Sequence, residues 1–168
     1  YVKFGMSDTY HTFLPGQMDL RAVQTEYDES IDTSFVFSER LYSHDAYVYL
    51  EDDIKFNDRF KANIGLHASL FKVGDKNYTS LQPRFSARYL IDENWSAKIS
   101  YAEMQQNIHL LTNSNAGLPT DIWVPSTDIV KPQESSQIAA ALTRTLDDGV
   151  YEISLEAYYK TMDNLITY

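Results

Sequence analysis

Residues Thr79 to Glu103 read TSLQPRFSARYLIDENWSAKISYAE, two runs of alternating apolar and polar side chains joined by Asp92, Glu93 and Asn94. In the first run Leu81, Pro83, Phe85, Ala87, Tyr89 and Ile91 alternate with Gln82, Arg84, Ser86 and Arg88. In the second, Trp95, Ala97, Ile99 and Tyr101 alternate with Ser96, Lys98 and Ser100. A period of two sends the two sets to opposite faces of a strand, so the stretch predicts a hairpin with one apolar and one polar face. Each run is about ten to twelve residues, long for an ordinary strand and the right length for a tilted membrane crossing.

The same rhythm extends outward in both directions. Upstream, Ala46, Val48, Leu50, Ile54 and Phe56 oppose Tyr47, Tyr49, Glu51, Asp53 and Lys55, and after Asn57-Asp58-Arg59 a second run sets Phe60, Ala62, Ile64, Leu66, Ala68 and Leu70 against Lys61, Asn63, Gly65, His67 and Ser69. Downstream, Ile138, Ala140 and Leu142 alternate in one run, and beyond Asp147-Asp148-Gly149 the last run carries Tyr151, Ile153, Leu155, Ala157 and Tyr159. The expected fold is all-β: an antiparallel up-and-down meander of about seven long strands, part of a transmembrane β-barrel. Its strands are placed near residues 1–6, 45–56, 60–72, 80–91, 95–104, 135–146 and 150–160. Residues 7–43 and 105–134 are expected to be long loops, with a short strand such as Thr33 to Ser38 rising above the main sheet. Gly74 to Tyr78 is expected to be a loop of intermediate length.

The connections therefore run long, short, intermediate, short, long, short. In a meander, alternate connections share an end, so the tight turns fall on one side and the longer loops on the other, the arrangement of outer-membrane barrels. The charges that break the apolar faces, Asp52, Lys72, Glu103 and Arg144, all lie near strand ends, and Phe56, Phe60, Trp95 and Tyr151 cluster beside the tight turns as an interfacial girdle would. A soluble β-sandwich also alternates and is the competing reading. Strand length, loop segregation and rim-placed charges favour the barrel.

Composition narrows the partners. With 14 basic and 24 acidic residues among 168, the net charge is −10, so the electrostatic footprint of a nucleic-acid binder is absent. The chain has no cysteine, which excludes disulfides and thiolate metal sites. No window approaches the roughly 18 apolar residues of a transmembrane helix, which leaves strand crossings untouched. The chain opens at Tyr1 in an alternating run with neither Met nor a signal peptide, as an excised segment would.

Four stretches carry a family resemblance. They are AYVYLEDDIKFNDRFKANIGLHASL from Ala46, PRFSARYLIDENWSAKISYAEMQQNIHLL from Pro83, GLPTDIWVPSTDIVKPQ at Gly117 to Gln133, and YYKTMDNLITY at Tyr158 to Tyr168. Together, over about Ala46 to Tyr168, they resemble the barrel of TonB-dependent outer-membrane receptors, particularly those with a carboxypeptidase-regulatory-like leader domain. The most specific pieces are the Trp-Val-Pro loop leading into Lys131-Pro132-Gln133 and the Tyr-Tyr-Lys near the C-terminus. The resemblance implies a barrel of about 22 strands around a plug, and uptake of a scarce nutrient (siderophore, vitamin or glycan) across the bacterial outer membrane with energy passed through TonB. It also makes the tight turns periplasmic and the long loops extracellular. Neither plug nor TonB box is found in the 168 residues, so the chain reads as a segment of the barrel domain, in contact with TonB only through a missing plug region.

Candidate ligand contacts are the aromatic and hydrogen-bonding side chains of the second long loop, His109, Asn113, Asn115, Asp121 and Trp123. Trp123 has a structural alternative, packing the loop onto the barrel rim. The polar faces supply the expected lumen lining, with Tyr47, Tyr49, Lys61, Arg84, Arg88 and Lys98 prominent, and His67 as a hydrogen-bonding lumen residue. Glu51 and Asp53 share a face and are expected to pair with Lys55, Lys61, Arg84, Arg88 or Lys98. The four histidines lie too far apart for a local metal motif, so no metal site and no cofactor is expected. Nucleophile motifs and glycine-rich phosphate loops are absent, and the chain does not read as an enzyme. An isolated segment, with open sheet edges and an apolar face beside its outer-membrane lipid, is expected to self-associate.

Overall fold

A computed structural model describes residues 1–14, 17–23, 30–36, 40–112, 121–146 and 149–166 of the chain. The described strands are β1 (Val2–Phe13), β2 (Gln17–Val23), β3 (Ser30–Val36), β4 (Leu41–Lys55), β5 (Phe60–Val73), β6 (Lys76–Leu90), β7 (Trp95–Gln106), β8 (Ile108–Thr112), β9 (Asp121–Pro125), β10 (Gln133–Leu146) and β11 (Tyr151–Asp163). Seven of them form one antiparallel sheet in the order β1-β4-β5-β6-β7-β10-β11, each pairing with its neighbour in the meander. Hairpins β2–β3 and β8–β9 are separate two-stranded sheets carried at the loop end. Among the described residues no helix is long and apolar enough to cross a membrane.

The residues joining the strands explain why the chain turns where it does. At the β4–β5 turn the Asn57 side chain accepts hydrogen bonds from the Arg59 and Phe60 N–H groups at 2.9 and 2.7 Å. Asp92 does the same for Asn94 and Trp95 at the β6–β7 turn, both at 2.8 Å. Each side chain satisfies donors that the sheet ladder leaves behind, which is what Asn and Asp contribute to turns. Between β5 and β6 the chain reverses in two residues, Gly74 and Asp75, with Gly74 at φ +52°. A positive φ at the first central position followed by an ordinary residue is the pattern of a type II′ turn, whose twist matches the flanking strands.

Several boundaries differ from expectation. β1 runs to Phe13 rather than ending at Met6, β4 begins at Leu41, and the expected loop 7–43 contains these ends together with β2 and β3. The expected strand at 33–38 is the end of β3, which runs Ser30–Val36; positions 37–38 lie outside the described residues. β6 begins at Lys76, so the expected loop 74–78 is a tight turn, and the loop end of the sheet holds one short connection beside two long ones. The expected loop 105–134 contains β8 and β9, and β11 extends to Asp163. One physical reason covers these differences. Beyond an apolar band of about 25 Å both faces of a strand meet water, so the alternation that marks a strand fades while its hydrogen bonds continue. At 15 residues, β4 and β6 each span about 50 Å of strand, and even tilted near 45° they overshoot such a band.

The sheet has two unlike faces. Registers such as Ile54↔Ala62↔Ala87↔Ile99↔Ala140↔Ala157 build an apolar face in rows across six strands. Ile64 on this face is 51% exposed and Leu66 45%, where a sandwich would have buried them against a second sheet. Among the described residues the buried apolar core is small, Phe13, Ala62, Phe71 and Val73. Three of these, Phe13, Phe71 and Val73, sit on the opposite face at its loop end.

The β6–β7 ladder ends at Arg84↔Ala102, although both strands continue, so the sheet divides toward the loop end. Pro83, which has no N–H to donate, stands at that point.

Candidate functional site

The polar face is the concave one. It lines a hollow of about 700 Å³ that spans β4 to β11, floored by Asn63, Ser86, Ser100 and Ala139 and edged by Lys61, Arg88 and Lys98. Tyr47, Tyr49, Lys61, Arg84, Arg88 and Lys98 all fall on this face by register. Tyr49 lies over Gly5 of the neighbouring strand, so closely that a Cβ at position 5 would stand 2.6 Å from its ring. Glycine there lets the aromatic ring cover bare backbone. Tyr47 rests against the His67 ring at 4.9 Å between centroids.

The carboxylates on this wall find partners that alternation did not reveal. Asp53 accepts from Lys3 Nζ of β1 at 2.8 Å and from Asn63 Nδ2 at 2.7 Å, rather than from any of the five expected cations. Lys55 turns instead to Asp58 in the adjacent turn at 2.5 Å, and that hydrogen bond holds the Asp58 carboxyl below its usual range. Among the described residues no three His, Asp or Glu side chains converge as a metal site requires.

At the loop end the β8–β9 hairpin is tied to the concave face. The Tyr78 hydroxyl donates to the Thr127 carbonyl, and the hairpin is closed at its base by the Ser126 N–H donating to the Asn107 carbonyl at 2.7 Å. Thr127 caps the following turn, its hydroxyl accepting from the Ile129 and Val130 N–H groups. The chain then reaches Pro132, whose carbonyl takes a hydrogen bond from Asn164 Nδ2 at 3.0 Å. Here the concave face changes from charged to apolar, with Phe13, Phe71 and Val73 buried at the end that the hairpin overlies.

The expected ligand residues separate in space and in exposure. His109 is 2% exposed, with Nε2 3.1 Å from the Ser126 hydroxyl and Nδ1 buried without a partner, so its ring is enclosed in the hairpin rather than presented to solvent. Burial pushes its imidazole pKa below the ordinary value. Trp123, on the partner strand, is 56% exposed. Asp121 opens β9, paired through its backbone with Thr112, and Asn113 and Asn115 lie outside the described residues.

The opposite face is apolar and bounded by aromatics at both ends. Phe60, Tyr89, Trp95 and Tyr151 stand toward the tight turns, where Arg144 lies over the Trp95 ring at 5.1 Å. Toward the loops, Tyr10 stacks on Tyr42 and tilts against His44. Charged residues of this face gather at the same two ends: Asp8, Lys72, Glu103, Glu134 and Asp163 toward the loops, Asp52 and Arg144 toward the turns. Between the two aromatic ends lies a shallow, largely apolar hollow lined by Met6, Ala46, Val48, Ala68 and Leu70, with Asp8 at its edge.

A family model described as TonB dependent receptor-like, beta-barrel, matches residues 3–168. No curated protein and no solved structure matches the chain.

Proposed function

Because the chain belongs to the TonB dependent receptor-like β-barrel family, whose members are receptors and transporters of the bacterial outer membrane, we propose that it forms a stretch of barrel wall through which a scarce nutrient is taken up. The observation that carries this reading is the division of one seven-stranded sheet into a polar concave face and an exposed apolar convex face. A strand-crossing in lipid satisfies its backbone within the sheet, turns its apolar face to hydrocarbon and encloses a polar lumen.

On this reading Tyr47, Tyr49, Lys61, Arg84, Arg88 and Lys98 line the lumen, and Leu66, Phe85, Ala87 and Ile99 face lipid. The tight turns are periplasmic. The β2–β3 and β8–β9 hairpins stand outside the cell, where exposed Trp123 is a surface for an incoming siderophore, vitamin or glycan. Capture at the loops is followed by rearrangement of a lumen-filling plug driven through TonB, and passage along the polar wall. Among the expected ligand residues, His109 acts by holding the hairpin in place, since its ring is buried against Ser126.

Cysteine scanning of the full-length receptor in intact outer membranes tests the two faces. Ser86→Cys and Ser100→Cys are expected to react with a water-soluble, membrane-impermeant thiol reagent once the lumen is accessible, and Leu66→Cys and Ile99→Cys only with a lipid-soluble one. The reverse pattern, or recovery of the receptor in the soluble fraction, overturns the assignment.

A further inference from the structure

Four cations stand in a single row across four adjacent strands of the concave face. Lys55 pairs across to Lys61, Lys61 to Arg88, and Arg88 to Lys98. Like charges directly opposite one another destabilise a sheet, and the chain as a whole carries a net charge of −10. Lys55 is neutralised by Asp58, but Lys61, Arg88 and Lys98 make no salt bridge among the described residues. All four line the hollow of about 700 Å³. Asp53, two residues before Lys55, is already engaged by Lys3 and Asn63, Asp58 in the β4–β5 turn is engaged by Lys55, and Glu156, which also lines the hollow, lies two strands beyond Lys98, across Ala141.

We propose that this row is a binding site for a compact polyanion, a solute carrying two or more carboxylate or phosphate groups, at the tight-turn end of the lumen. Strand spacing of about 4.8 Å sets Lys61, Arg88 and Lys98 within about 10 Å of one another, so one such solute reaches all three. Charge-assisted hydrogen bonds to carboxylate or phosphate are the strong ones, and a concave low-dielectric wall concentrates the field of the row. The volume lies within the range of about 300–1,000 Å³ typical of small-molecule sites, enough for one such solute. The site rests on the concave face being the lumen wall, which Ser86→Cys labelling checks without any anion.

The test is calorimetric titration of the purified full-length receptor in detergent with citrate and with inorganic triphosphate, acetate serving as the monoanion control. Saturable binding of both polyanions, weakening as salt rises from roughly 50 to 200 mM, is expected. Lys61→Gln/Arg88→Gln/Lys98→Gln should weaken it at least about tenfold, single R88Q and K98Q variants several-fold, and K61R/K98R should retain it. Absence of saturable binding, or binding that neither the triple nor the single variants weaken, overturns the proposal. If neither polyanion binds and the triple variant lowers the melting temperature, the cations serve an acidic protein segment and the solute assignment fails. Loss of anion binding with Ser86→Cys still labelled from water leaves the wall assignment intact.

Discussion

His109 shows how a residue's chemistry is redirected by where its strand is packed. Its type suggests ligand binding, but at 2% exposure the ring is committed to Ser126 within the β8–β9 hairpin. Burial lowers its folded-state pKa, so the unfolded hairpin binds a proton more readily than the folded one. The stabilisation is therefore fully present above the ordinary value near 6.5 and is lost as pH falls through the lowered native value. Acidifying the receptor from neutrality to about pH 5 should shift Trp123 fluorescence and speed amide exchange across Ile108–Thr112. His109→Gln should abolish that pH dependence, and a hairpin indifferent to pH in the native protein would show that His109 does not hold it. On the convex face the residue-scale expectation is a cost set by lipid. Leu66→Arg, in the middle of β5, should destabilise the barrel by about 2–4 kcal/mol in vesicles, while Ser154→Arg, on the concave face between Glu152 and Glu156, should change stability by less than about 0.5 kcal/mol. Equal effects in denaturant titrations would mean that the two faces do not differ in environment.

Single elements depend on a few positions that do more than alternate. Gly74 has open space where a Cβ would go, so a substitution there meets no clash, but its φ of +52° is unfavourable for any other L-residue. Gly74→Ala should cost about 1–2 kcal/mol, measured as a lower denaturant midpoint with an unchanged slope; a smaller loss would show that the turn relaxes to another type. The Asn57 and Asp92 turns needed no such glycine, because each side chain itself supplies the missing acceptors. These two turns were readable from sequence, since polar residues interrupt strong alternation on both sides. The Gly74-Asp75 turn was not, because Lys76 to Tyr78 carry no apolar alternation and the strand they begin is identified only by its pairing with Lys72 and Phe71. The end of the β6–β7 ladder was likewise invisible in the pattern. Pro83 keeps the period of its neighbours, and the loss of one N–H leaves no trace in hydropathy.

At the scale of the whole molecule the sheet offers two open edges, β1 and β11, each paired on one side among the described strands. Its convex face holds Phe4, Leu50, Ile64, Leu66 and Leu155 exposed. An edge presents unpaired backbone groups and the face presents an apolar patch far larger than water tolerates. The 168-residue segment alone, in buffer without detergent, is therefore expected to associate through these surfaces. Light scattering that found a stable monomer would contradict this.

Alternation by itself determined that the chain is a meander of long strands, which side chains share a face, and which connections turn tightly beside Phe60 and Trp95. It could do so because a period of two is a local property, set by backbone geometry within each strand. Register and curvature are not local. Only the folded sheet decided that the polar face is the concave one, that Lys3 rather than a neighbouring lysine takes Asp53, and that Lys55, Lys61, Arg88 and Lys98 stand in one row. The hairpin over the loop end was hidden for a related reason. Its buried residues, Phe13, Phe71, Val73 and His109, come from three strands distant in sequence, β1, β5 and β8, and they become a core only when the strands twist together and a loop closes over them.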